Sequence, residues 1–100
     1  MKEINDKEFN SEVIEHKGTV LVDFSADWCG PCRAMHPVLE EIAAEGDIKV
    51  VKIDIDKNQM AAQQHGVVSI PNMVVYRDGK MVNQMIGAMP KRQIMSELAV

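Results

Sequence analysis

The run Thr19-Val20-Leu21-Val22-Asp23-Phe24 constrains this 100-residue chain more than any other stretch, because it is nearly continuously apolar and rich in β-branched residues. A strand of that kind has to be covered on both faces, so it belongs in the middle of a sheet sandwiched between helices. Asp23 alone breaks the pattern. A carboxylate there is costly to bury ionised, so desolvation should raise its pKa, and a group perturbed in that way marks function more than stability.

The flanking segments supply the cover. Lys2 to Asn5 reads as a short edge strand, and Asn5 with Glu8 has capping-box spacing ahead of a helix carrying Phe9, Val13 and Ile14, closed by Gly18. After the central strand, Met35, Val38, Leu39 and Ile42 recur at i, i+3, i+4 and i+7. That spacing predicts an amphipathic helix from Cys29 to about Glu45, kinked at Pro37. Gly46-Asp47 turns the chain into a second interior strand over Ile48 to Ile55, with Val51, Ile53 and Ile55 on one face and Lys49 at its edge. A short helix from Asn58 to His65 closes at Gly66. A strand from Asn72 to Arg77 then turns through Asp78-Gly79 into an antiparallel neighbour, Met81 to Ile86. A last helix begins near Pro90 and contains Ile94, Met95 and Leu98. The order predicts a single α/β domain over residues 1–100, with a mixed central β-sheet flanked by helices on both faces.

Hydrophobic residues make up 46% of the chain but aromatics only 4%, so packing must rest on Val, Ile, Leu, Ala and eight Met, which read as adaptable core filler. Eleven Lys and Arg stand against fifteen Asp and Glu, for a formal charge of −4, with no basic cluster. Composition therefore offers no basis for nucleic-acid binding or for steering to anionic membranes. The Met1-Lys2-Glu3-Ile4-Asn5-Asp6 start lacks a signal-peptide core, and no run approaches the ~20 apolar residues of a membrane span. A cytoplasmic location is the expectation.

Cys29 and Cys32 are the only cysteines, separated by Gly30-Pro31 at the junction between strand and helix. They read as a dithiol that opens and closes reversibly. Exchange needs an attacking thiolate and a second thiol close enough to resolve the mixed disulfide, and a helix start favours the thiolate through its unpaired N–H groups. Cys29 is expected to be exposed, with a depressed pKa, and to attack; Cys32, one turn inside, is expected to be more buried and to resolve. Two bland alternatives remain. A zinc half-site needs two further ligands, and His16, His36 and His65 offer no pair at short spacing. A structural staple would constrain little, because the loop it closes is so short.

Trp28-Cys29-Gly30-Pro31-Cys32, preceded by Val22-Asp23-Phe24-Ser25-Ala26-Asp27 and followed by Ile70-Pro71-Asn72, resembles the thioredoxin family over nearly the whole chain. The resemblance implies the thioredoxin fold and a protein-disulfide reductase that serves cell redox homeostasis by dithiol–disulfide exchange. It implies no bound cofactor and a monomer. Electrons would come from NADPH through a flavin-containing thioredoxin reductase, or from a ferredoxin-linked equivalent, and disulfide-containing proteins would be the substrates. It places Asp23 beneath the cysteines as the proton acceptor for Cys32, with Lys52 tuning that carboxylate. It implies a cis Ile70-Pro71 bond opposite the cysteines. Trp28, Gly30, Pro31, Ile70, Pro71, Gly87 and Ala88 would form the substrate contact surface, the Ile70 backbone pairing with an extended substrate segment.

Four positions depart from the family's usual pattern. Asn72 stands in place of a threonine, Ser69 of a glycine, Ser25 of an aromatic residue common in bacterial members, and Met89 where a polar cap often precedes the last helix. Two further readings stay open on the same fold. One is a disulfide oxidase or isomerase, against which the spacer Gly30-Pro31 argues because it lacks a histidine. The other is a redox-gated binding module that need not turn over.

Overall fold

A computed structural model describes residues 1–99 of the chain. The described residues form a five-stranded sheet in the order β1-β3-β2-β4-β5, built from β1 (Lys2–Ile4), β2 (Thr19–Ser25), β3 (Lys49–Asp54), β4 (Asn72–Arg77) and β5 (Lys80–Ile86). β1, β3 and β2 run parallel, and β4 and β5 are antiparallel, so the sheet is mixed, as expected. The long apolar run is its central strand.

Alternation along β2 divides the core in two. Val20, Val22 and Phe24 pack on one face with Phe9, Val13, Val51, Ile53, Val74 and Tyr76, over which lie the N-terminal turns and α2 (Gln59–Gln64). Leu21 points the other way. It joins Val50, Met73, Val75 and Met85 under α1 (Gly30–Ala44) and α3 (Lys91–Leu98), which contribute Met35, Leu39, Ile42, Ile94 and Leu98. The buried methionines all lie on one side. Met35, Met73 and Met85 are buried on the α1 side and Met1, Met89 and Met95 pack against that core, whereas Met60 and Met81 are exposed. Asp23 has the same parity as Leu21, so it is aimed at α1.

The first helix takes a different form from the one predicted. The capping box is present, with Asn5 Oδ1 accepting the Glu8 N–H at 3.0 Å and Glu8 Oε1 accepting the Asn5 N–H at 3.1 Å. It closes a 3-10 turn over Asp6–Glu8, which passes into a π-turn over Asn10–Ile14. Side chains compete for the carbonyls there: Ser11 Oγ donates to the Glu8 carbonyl at 3.2 Å and Lys49 Nζ to the Glu12 carbonyl at 2.8 Å. The wider turn is closed by the Glu15 N–H on the Asn10 carbonyl at 2.9 Å and still buries Val13 completely.

The β4–β5 hairpin turns through Asp78 (φ 52°) and Gly79 (φ 81°), the two positive-φ residues that a type I′ turn needs. A bulge follows, since Val75 pairs with Asn83 but Tyr76 with Met81. A Cβ at Gly79 would lie 2.5 Å from the Ile14 carbonyl oxygen, so backbone strain and a backbone clash coincide. Gly79→Ala is therefore expected to destabilise the fold by about 2 kcal/mol or more, read as a lower urea midpoint at unchanged m-value.

Candidate active site

β2 and β3 are parallel, so their C-terminal ends reach the same edge of the sheet, and the segments that leave them meet there. Cys29 follows β2 as the N-cap of α1, with its sulfur accepting the Cys32 N–H at 3.2 Å. Pro31, at the start of the helix, needs no N–H partner. The two sulfurs are joined as a disulfide.

One expectation is corrected. Cys29 was expected to be exposed and Cys32 more buried, yet their relative exposures are 4% and 5%. The disulfide packs in a small apolar cluster with Ala26, Ile55 and Ile70, which shields both sulfurs alike. What separates the two cysteines is direction. Cys29 Sγ lies 3.9 Å from the Ile70 carbonyl oxygen, on the side of the Ile70-Pro71 loop. Cys32 instead lines a cavity of about 560 Å³ that also touches Asp23, Ser25, Arg33, His36 and Lys52.

Around Cys29 the structure gathers the expected contact residues. Trp28 is 67% exposed, Gly30 and Pro31 are exposed, and Ile70 is half-buried. The Ile70-Pro71 bond is cis, as the resemblance implied. Gly87 is tied to that loop by its N–H, which donates to the Pro71 carbonyl at 2.8 Å, and exposed Ala88 follows it. Pro71 itself is buried.

Asp23 is 2% exposed, and its Oδ1 has no hydrogen-bond partner among the described residues. It faces Lys52 across β3 and Met73 across β4 in register. Burial pushes its carboxyl up from the ordinary 3.8 to about 7, while the positive charge of Lys52 pulls the other way. Lys52 is not ion-paired with it; Lys52 Nζ lies 3.9 Å from Glu3 Oε1, so its influence on Asp23 acts through the field and not through contact.

Asp54 and Asp56 went unnoticed in the sequence, and the part Asn72 plays was not foreseen. Asp56 Oδ2 accepts the Trp28 indole N–H at 2.7 Å, and Asp54 Oδ1 shapes that turn by accepting the Asp56 N–H at 2.8 Å. Asn72, buried at 1%, uses its Oδ1 to accept from Gln84 Nε2 at 3.0 Å beneath the cis bond. The hint available beforehand was topological: acidic residues that follow a strand parallel to the cysteine-bearing one come out at the same edge. Among the described residues, no group of three or more His, Cys, Asp or Glu could hold a metal ion, and no helix is long and apolar enough to cross a membrane.

A two-cysteine helix cap at the end of a central strand, with a cis-proline loop facing it, defines a thiol–disulfide oxidoreductase. The thioredoxin family model matches residues 1–100. Thioredoxin 1 of Nostoc sp. is 44% identical over 98 residues, covering 96% of this chain and 92% of that protein. The thioredoxin of Pyropia yezoensis is 45% identical over 100 residues, covering 98% and 94%, and that of Haemophilus influenzae is 44% identical over 93 residues, covering 91% and 87%. The chain belongs to the thioredoxin family. Its activity is dithiol–disulfide exchange through Cys29 and Cys32, acting as a protein-disulfide reductase.

Proposed function

We propose that Cys29 attacks the substrate disulfide and that Cys32 resolves the mixed disulfide, with Asp23 taking the Cys32 proton and Lys52 tuning Asp23 through its field. The observation that carries this order is the division of the two cysteines, Cys29 with its sulfur beside the Ile70 carbonyl and Cys32 lining the Asp23 cavity. Trp28, Gly30, Pro31, Ile70, Pro71, Gly87 and Ala88 form the contact surface. The Ile70 backbone pairs with an extended substrate segment, which lets sequences of many kinds bind. Electrons reach the disulfide from NADPH through a thioredoxin reductase or from a ferredoxin-linked one, with no cofactor held by this chain. A single dithiol used in this way suits the cytoplasm, where other thiols stay reduced.

The test is the reduction potential of the Cys29–Cys32 couple, followed by Trp28 fluorescence in defined thiol buffers. A value near the about −270 mV general to thioredoxins, a family figure and not one obtained from this structure, is expected. A value near about −120 mV would make the protein an oxidase instead.

A further inference from the structure

The cavity beside Cys32 runs from a buried end to an open one. Asp23, Ser25 and Cys32 are buried, whereas Arg33 and His36 are exposed. Ser25 leaves room at the inner end that a larger side chain would fill. Cys32 and His36 stand four residues apart on α1, one turn above the other on the same helix face. The exposed residues of the lining are Asp27, Arg33, His36 and Pro37, and the lining includes none of Trp28, Ile70, Pro71, Gly87 or Ala88.

We propose that this cavity is the route by which protons travel between Asp23 and bulk solvent, and that His36 at its mouth relays them. The inference rests on the reading of Asp23 as the proton acceptor of Cys32. In the mixed disulfide, the Cys32 thiol gives its proton to the Asp23 carboxylate, and the sulfur electron pair forms the bond to Cys29 Sγ. The bond between Cys29 and the substrate sulfur breaks, and the substrate leaves as a thiolate. Asp23 then holds a proton that it either returns to Cys32 when the dithiol is regenerated or exchanges with solvent through the cavity. Its unpartnered Oδ1 gives cavity water a place to bind, and a space of this size accommodates a short chain of waters. An imidazole accepts a proton at one nitrogen and releases it from the other, which neither fixed cation at the cavity can do near neutral pH. Lys52 and Arg33 line the same space, and Arg33 Nη1 is held by the Asp27 carbonyl at 2.8 Å. Asp27 also lines it, and Glu40, one turn beyond His36, is ion-paired with the N-terminal amine at 2.8 Å.

The measurement is the rate at which Asp23 exchanges its proton with solvent, read by carbon-13 NMR of its carboxyl near the titration midpoint in dilute buffer. His36→Gln is expected to slow exchange on the order of tenfold, with added imidazole restoring the rate. Ser25→Leu, which fills the inner end, is expected to slow exchange in a way imidazole does not restore. Wild-type exchange in Ser25→Leu would overturn the route, and wild-type exchange in His36→Gln, or slow exchange there that imidazole leaves unchanged, would overturn the relay. Asp23→Asn separates the two levels. If it left resolution of the mixed disulfide at full rate, the reading beneath would fail. If it slowed resolution while His36→Gln exchanged normally, only the relay would fail.

Discussion

Reduced Cys32→Ser is expected to accumulate a covalent adduct with a disulfide-bearing peptide, while Cys29→Ser accumulates none. The two sulfurs have equal burial, so exposure does not decide which attacks. Position does: Cys29 sits at the helix cap, where its sulfur accepts a backbone N–H, and beside the Ile70 carbonyl where an extended substrate would lie. A thiolate at Cys29 is stabilised by that N–H and by the positive end of α1. Cys32 has the opposite surroundings. It lines the cavity together with Asp23, whose carboxyl on the proposed reading removes the Cys32 proton and, once ionised, would repel a standing negative charge.

Loss of Cys32 leaves the first exchange intact and removes the intramolecular second one. Intramolecular attack by a well-placed group carries a large advantage, so catalytic turnover should fall by about 10³-fold or more in both variants. Only Cys32→Ser should show the added peptide mass, released by dithiothreitol. An adduct on Cys29→Ser and none on Cys32→Ser would reverse the assigned order.

Much of this arrangement could be read from local pattern. The unbroken apolar run at Val20 to Phe24 required cover on both faces, Asp78-Gly79 required a tight hairpin, and the Met35 to Ile42 spacing required a helix packed along one side. Those signals depend on neighbours within a few residues, and the structure agrees with them. The misreadings involve partners far away in the chain. A donor 37 residues distant, Lys49, bonds a carbonyl of the π-turn over Asn10–Ile14. Cys29 is shielded by Ile70, 41 positions away, and Trp28 is anchored by Asp56, 28 positions away. The cavity escaped notice for the same reason. That Cys32 and His36 share a helix face follows from their spacing, but Asp23, Ser25 and Lys52 join them only through the parity and register of two strands.

Asp23→Asn is expected to make the protein more stable at pH 8 and slower as a catalyst. In the folded state burial holds the Asp23 carboxyl at about 7, against an ordinary 3.8. Between those values the native state retains a proton that the unfolded chain has released, so rising pH favours unfolding across that window. The contribution to stability is fully present below about pH 4 and lost by about pH 7, after which the cost is constant. With Asp23 almost fully buried, the shift corresponds to an upper bound of about 4 kcal/mol, and about 2–4 kcal/mol is the gain expected for the neutral amide at pH 8. Near pH 4 the variant and the wild type should be nearly equal, because the native carboxyl is already neutral. Urea unfolding of both proteins at pH 4 and pH 8 isolates the difference, since every other titrating group is common to them. The kinetic effect runs the opposite way. Without the carboxylate, Cys32 must lose its proton to solvent or hydroxide, and resolution of the mixed disulfide should slow by about 10- to 100-fold at neutral pH. That deficit should shrink toward pH 9, where a thiol ionises unaided. A stability difference that stays the same at both pH values would show that the native carboxyl is not held neutral. A rate deficit independent of pH would show that Asp23 acts on Cys32 by position and not as its base.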